Sequence, residues 1–242
     1  MNKIKLKNQE FEFKTIRSDR KTIGIIVNAD QELTVRSPKR ASNRQIKSLL
    51  VKKEDWILKK MSELAEIKAP PAAKEFVSGD KFLYLGKEYV LKLTAEANLK
   101  EFKVELKEDN LLVYYPLNLK DKKERKDEVR DKLIRWYRSR AKIKINELIN
   151  NYKRELEVEP NKIVIKKQKK RWGSCSSKKN LNFNWKIIMA PPAVIEYLVV
   201  HELVHLIHPN HSKDFWQTAA ELIPDYEEQK EWLRINGRRL TI

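Results

Sequence analysis

Hydrophobic and polar positions along the chain follow two periods, and the switches between them outline its elements. Ile23-Gly24-Ile25-Ile26-Val27 and Leu33-Thr34-Val35-Arg36 flank the turn-prone Asn28-Ala29-Asp30-Gln31 and predict a β-hairpin within a β-structured first forty residues. Ser42 is a suitable N-cap for a helix whose apolar residues, Ile46, Leu49, Leu50, Trp56, Ile57, Met61 and Leu64, fall at helical spacing. Ala69-Pro70-Pro71-Ala72-Ala73 ends that helix and forms a linker. Strands return over residues 76–93, with turns at Gly79-Asp80 and Gly86-Lys87, and residues 102–106 and 111–115 predict a second hairpin around Glu108-Asp109-Asn110. Residues 119–156 read as one long charged helix with a broken apolar stripe of Val129, Leu133, Trp136, Tyr137, Ala141, Leu148, Tyr152 and Leu156.

The last third differs in character. A strand at 163–165 precedes a hairpin formed by residues 171–175 and 180–185, in which Asn182 and Asn184 alternate with Leu181, Phe183 and Trp185. Pro192 suits the first turn of a helix over 193–207 that is apolar on nearly every side, so it predicts a central buried element. Pro209-Asn210 stops it, Ser212 caps a short helix to 223, and a final helix runs from Pro224-Asp225 to about Leu233. The predicted class is α+β, with a β-rich region containing one helix over 1–115 and a second domain over 116–242 built around the apolar helix.

Composition removes several functions. The 242 residues include one Cys, so no internal disulfide or thiolate zinc ribbon can form, and a reducing compartment suits the chain. Its five glycines contain no G-x-G pair and no phosphate-cradling G-x-x-x-x-G-K, which excludes the dinucleotide and P-loop fingerprints. The N-terminus lacks a signal-peptide apolar region, and no run reaches the roughly 18 apolar residues of a membrane span. A cytoplasmic protein is expected. The charge of +18 and the run Lys166 to Arg171 raise an association with DNA, although charge of this kind also serves solubility. Nothing in the pattern specifies an oligomeric state.

The four histidines, His201, His205, His208 and His211, all fall within eleven residues. His201-Glu202-Leu203-Val204-His205 is an H-E-x-x-H motif. Residues four apart on a helix lie about 40° apart around the axis and about 6 Å apart along it, so both imidazoles can converge on one ion. Zinc takes neutral imidazole nitrogen, and a catalytic site needs three protein ligands and a water that Glu202 could serve as general base. Two ionisable residue types on so apolar a helix would be costly without a shared purpose. Two residues compete for the third position. His211 is preferred because it follows the Pro209-Asn210 turn and approaches from a new direction; the spacing then equals H-E-x-x-H-x-x-G-x-x-H, with His208 in place of the Gly and Asn210 as the left-handed turning residue. His208, further along the same helix, approaches poorly. Asp214 is either an orienting partner for a ligand or an exposed first-turn acid. Cys175 reads as a small packed residue.

Arg171-Trp172-Gly173-Ser174-Cys175, the Asn180 to Asn184 strand, Tyr197-Leu198-Val199-Val200-His201-Glu202-Leu203-Val204-His205 and Asn210-His211-Ser212 with Phe215-Trp216 together resemble the YgjP-like family of metal-dependent hydrolases, related to the SprT-like and WLM zinc metalloproteases. Arg20-Lys21-Thr22-Ile23, Val35-Arg36-Ser37-Pro38, Trp56-Ile57 and Tyr84-Leu85-Gly86 extend the resemblance through most of the chain. It implies a zincin-type core with a central H-E-x-x-H helix, Zn2+ held by His201, His205 and His211, Glu202 as catalytic base, and a protein or peptide substrate. Two other functions compete with a zinc peptidase: a basic nucleic-acid-binding protein with a structural metal, and a non-peptidase hydrolase using the same centre.

Overall fold

The computed structural model describes residues 2–28, 30–119, 121–168 and 170–242; Ala29 of the first expected turn and Lys169 of the basic run lie outside them. The architecture is mixed α+β, in two compact units divided between Lys68 and Ala69.

The first unit contains β1 (Asn2–Leu6), β2 (Gln9–Ser18), β3 (Gly24–Val27), β4 (Leu33–Pro38), α1 (Asn43–Lys52) and α2 (Glu54–Ala65). The strands form one sheet in the order β1-β2-β4-β3, and β3 and β4 pair antiparallel as the expected hairpin. Ser42 opens α1 through a reciprocal capping box with Gln45. The helix expected to run unbroken from 42 to 64 turns at Lys53, which leaves helical geometry and separates α1 from α2. Ile4, Leu6, Phe13, Leu33 and Val35 from the sheet and Ile46, Leu50, Ile57 and Met61 from the helices form this unit's own core.

The second unit begins with a sheet of β5 (Lys81–Tyr84), β6 (Lys87–Glu96), β7 (Lys103–Lys107) and β8 (Asn110–Pro116), ordered β5-β6-β8-β7. α3 (Lys122–Glu155) comes next, with Asp121 as its N-cap, and buries Val129, Leu133, Tyr137, Ala141 and Ile145, a repeat of four that keeps one face inward. The division expected between 115 and 116 falls inside this unit. Leu91, Leu111 and Val113 of the sheet lie in one hydrophobic cluster with Val129 and Leu133 of α3, so the sheet and the long helix share a core.

A three-stranded sheet, β9 (Lys162–Lys166), β10 (Gly173–Cys175) and β11 (Asn180–Asn184), has the order β10-β11-β9, which leaves β10 at an edge. Trp185, expected at the end of the hairpin strand, instead starts a 3₁₀ turn, Trp185–Met189, because the Asn184 side chain accepts the Lys186 amide and ends the strand. α4 (Pro192–Val204) is buried along nearly its whole length. Its start is anchored by the β5–β6 turn: the Leu85 and Gly86 amides donate to the Ile188 and Met189 carbonyls. Gly86 has φ +81°, and a Cβ there would meet Pro191 at 3.0 Å. Tyr152 of α3 donates to Glu196 at 2.6 Å and ties the middle of α4 to the long helix. α5 (Lys213–Leu222), capped by Ser212, and α6 (Tyr226–Asn236) complete the unit. No described helix is long and apolar enough to cross a membrane.

Candidate metal centre

His201 and Glu202 lie in the last turn of α4, and His205 is its C-cap. α4 stops there because its end tightens: the Leu206 amide donates to Leu203 and the amides of Ile207 and His208 to Val204. Pro209 comes next, and the chain reverses so that His211 faces the helix it left. Asn210 does not adopt the left-handed conformation expected of it, since the tightened turn and Pro209 already redirect the chain.

The three imidazoles form a near-equilateral group, with ring centroids 4.9 Å apart for His201–His205 and His201–His211 and 4.7 Å for His205–His211. One ring nitrogen from each can be chosen so that all three lie within 4.8 Å of one another. His201 Nε2 and His211 Nε2 are 3.1 Å apart. Two nitrogens bound tetrahedrally to one zinc at about 2.0–2.1 Å would be separated by about 3.3 Å. His205 Nδ1 donates to the His208 carbonyl at 3.0 Å, which places a proton on Nδ1 and makes Nε2 the nitrogen available to a metal.

Phe215, fully buried on α5, lies beneath all three rings with centroid distances of 5.0, 4.6 and 4.8 Å to His201, His205 and His211. His211 stacks on Trp216, and Trp216 on Tyr226, so aromatic faces from α5 and α6 fix the one imidazole carried by a loop. His208 stands apart from the cluster; its ring is 3.3 Å from the Thr218 hydroxyl and braces the loop against α5. Asp214 is an exposed acid in the first turn of α5.

Electrostatics favour the neutral form of His201 and His211. Burial, then the neighbouring His205 and His211, hold the His201 imidazole down to about 3, and burial also lowers His211. Both rings present lone pairs at neutral pH without first losing a proton. Glu202 is 4% exposed, and burial raises its carboxyl to about 8 despite the opposing charge of Arg171. Its Oε2 has no hydrogen-bond partner among the described residues. Glu202 and the three histidines line a cavity of about 620 Å³ together with Arg171, Gly173, Ser174 and Cys175. Burial raises the Cys175 thiol, which donates to the Ser176 carbonyl at 3.6 Å.

The sequence matches the YgjP-like metallopeptidase domain over residues 21–236. The chain belongs to the YgjP-like metallopeptidase family. As a member of it, the protein is a hydrolytic enzyme that uses a metal and acts on protein or peptide substrates. Two solved structures resemble part of it. The metallopeptidase zymogen of Pyrococcus abyssi abylysin is 19% identical, aligns with 40% of this chain and 99% of its own, and has a TM-score of 0.37. The zymogen of Methanocaldococcus jannaschii jannalysin is 22% identical over 40% of this chain and 95% of its own, with a TM-score of 0.33. No curated protein matches the sequence.

Gly173 is a site residue that motif reading treated only as part of the family pattern. A Cβ on it would stand 2.3 Å from Glu202 Oε1 and 2.8 Å from both Cγ and Cδ. Glycine lets the β10 backbone lie directly on the YgjP-like enzyme's buried carboxylate. Gly173→Ala is therefore expected to displace that carboxylate and, with Glu202 in the role proposed below, to lower peptide-cleaving activity about 100-fold, the cost of a misplacement of about 1 Å. Steady-state kinetics beside metal analysis checks this: metal content stays at the unmodified level while kcat falls.

Proposed function

We propose that the protein is a zinc-dependent peptidase with a zincin-type centre, in which His201, His205 and His211 hold the ion and Glu202 is the general base. The observation that supports it is the convergence of three imidazole nitrogens within 4.8 Å beside a buried, unpartnered carboxylate oxygen in an open cavity. The donor set suits zinc: three imidazoles, no thiolate among them, and room for a further ligand. A zinc ion bound there would supply Lewis acidity that polarises a peptide carbonyl and makes water easier to deprotonate. Glu202 takes the proton of the attacking water and passes it to the leaving amine. Its apolar surroundings strengthen it as a base by disfavouring its own charged form.

β10 supplies the reason to name peptides. It is an edge strand, and its Gly173, Ser174 and Cys175 line the cavity. A substrate in extended form adds beside such an edge through main-chain hydrogen bonds, which places its scissile bond at the histidines. The relation to SprT-like and WLM zinc metalloproteases belongs to this proposal, carried by the motifs at 171–175 and 201–216. So does a cytoplasmic location, which the single cysteine favours.

Elemental analysis is expected to find about one zinc per chain, since one three-imidazole centre holds one ion. Cleavage of unstructured peptides should stop on chelation and return with added Zn2+. A purified protein that takes up no zinc, or takes it up and cleaves no peptide, refutes the proposal.

A further inference from the structure

A second cavity, of about 560 Å³, adjoins the metal centre. Arg171 lines both cavities, and Tyr197 in the wall of the second precedes His201 by one turn of α4, their rings 5.8 Å apart. Its lining includes Lys170, Arg171, Lys186, Lys230, Arg234 and Arg238, and among the described residues no acidic side chain.

The placement of these cations is systematic. Lys230, Arg234 and Arg238 recur every fourth residue, so α6 and the short 3₁₀ turn after it (Gly237–Arg239) present them along one face. Leu233 and Gly237 share that face and bring it close to the sheet, where a Cβ on Gly237 would stand 3.1 Å from the Trp172 indole nitrogen. Lys186 enters from the 3₁₀ turn after β11, donates to the Thr241 hydroxyl at 3.2 Å and is half-buried. Elsewhere on the chain lysines commonly meet carboxylates, as in Lys87–Asp109 and Lys103–Glu105. Here Arg234 pairs with Glu231, whereas Lys170, Arg171, Lys186 and Arg238 make no salt bridge with a described carboxylate. Like charges gathered in a concave, partly desolvated site repel one another, and an incoming anion relieves that repulsion. Burial and the nearby Lys167 lower the pKa of the Lys186 ammonium, in keeping with a cation whose counter-charge is missing.

We infer that this cavity is an anion subsite that receives carboxylate groups of the peptide substrate and makes the enzyme prefer acidic sequences. The inference rests on the peptidase proposal above. Continuity with the metal centre through Arg171 and the pocket's modest volume favour one or two substrate side chains over a nucleic-acid strand. Glutamate or aspartate side chains would make charge-assisted hydrogen bonds to the guanidinium and ammonium groups.

The test uses the zinc-loaded Glu202→Gln protein, which holds peptides without turning them over, and fluorescein-labelled peptides read by anisotropy. A Glu/Asp-containing peptide is expected to bind at least about 10-fold more tightly than its Gln/Asn counterpart, the value of one or two charge-assisted bonds. That ratio should fall towards one in the added Lys186→Ala/Arg238→Ala double variant and persist in Lys186→Arg/Arg238→Lys, which keeps both charges. Both peptides carry amidated C-termini, so the ratio reports side-chain carboxylates alone. Equal binding of acidic and neutral peptides overturns the inference. So does a ratio indifferent to removal of the two cations while tryptophan fluorescence and zinc content stay normal, or a single-stranded oligonucleotide that displaces the acidic peptide and binds more tightly. Binding needs no turnover. An active-form protein that binds acidic peptides through Lys186 and Arg238 but cleaves none refutes the peptidase proposal and leaves the anion site standing.

Discussion

Replacing Glu202 by Gln is expected to lower peptide cleavage by about 1,000-fold, within the range that general-base catalysis contributes, while the metal stays bound. Gln has nearly the same shape, so it fits beneath Gly173 and leaves the three imidazoles in place. It cannot accept the proton of the attacking water. Parallel kinetics and elemental analysis decide: loss of activity with metal retained supports a base, whereas loss of both would make Glu202 part of the metal site. The same substitution has a second effect, on the metal-free protein. Burial raises the folded-state carboxyl from an ordinary 4.5 to about 8, so the folded chain holds that proton more tightly than the unfolded chain does. The stabilisation from Glu202 is complete below about pH 4.5 and is lost as pH rises towards 8. Gln carries no such dependence. Metal-free Glu202→Gln should therefore melt about 5 °C above the unmodified protein at pH 8 and show no gain at pH 4. Scanning calorimetry at the two pH values measures the difference, and equal melting shifts at both would show that Glu202 does not titrate as a buried carboxyl.

His211→Ala is expected to weaken zinc binding by more than about 100-fold and remove hydrolysis with it, since even the loss of a group supporting a ligand costs 10–100-fold. The proposed centre has three protein donors, and His211 is the one that comes from beyond α4 and its C-cap. His208→Ala makes the informative contrast. His208 contributes its backbone carbonyl to His205 Nδ1, and that carbonyl survives the substitution. Only the contact between its ring and Thr218 is lost, so zinc affinity should fall less than about 10-fold. Competition titrations with a chromogenic chelator give both constants. If His208→Ala loses zinc and His211→Ala keeps it, the third ligand has been misassigned.

Much of the fold could be read along the chain because its signals are local. The capping box at Ser42, the turn before Leu33, the long α3 and the all-round apolar α4 each depend on residues within one or two turns of one another. The departures have physical causes at longer range or in side-chain detail. Asn184 caps its own strand end and makes Trp185 helical, and Lys53 breaks a helix whose apolar spacing continues through it. The sheet at 81–116 belongs with α3 because Leu111 and Val113 share a core with Val129 and Leu133, a contact that no local pattern contains.

The candidate site divides in the same way. By itself the sequence determined that all imidazole chemistry lies between positions 201 and 211, that two histidines and Glu202 share one helix end, and that Pro209 redirects the chain before His211. Helical geometry and the conformational limits of proline are enough to establish these points. The helix expected to reach 207 ends at Val204, so His208 also lies past it. Only the tertiary structure decided that Phe215 lies under all three rings, that the His208 carbonyl orients His205, and that Gly173 must be glycine because the backbone of a different element rests on Glu202. It also decided what the excess of positive charge amounts to at one place. Lys186 and Arg238 are 52 positions apart in the sequence, and only the packing of α6 and its continuation beside Trp172 brings them into one cavity with no described acid to answer them. Periodicity encodes which face of an element is buried; it does not encode which other element meets that face, and both the surroundings of Glu202 and the charge of the neighbouring pocket depend on that meeting.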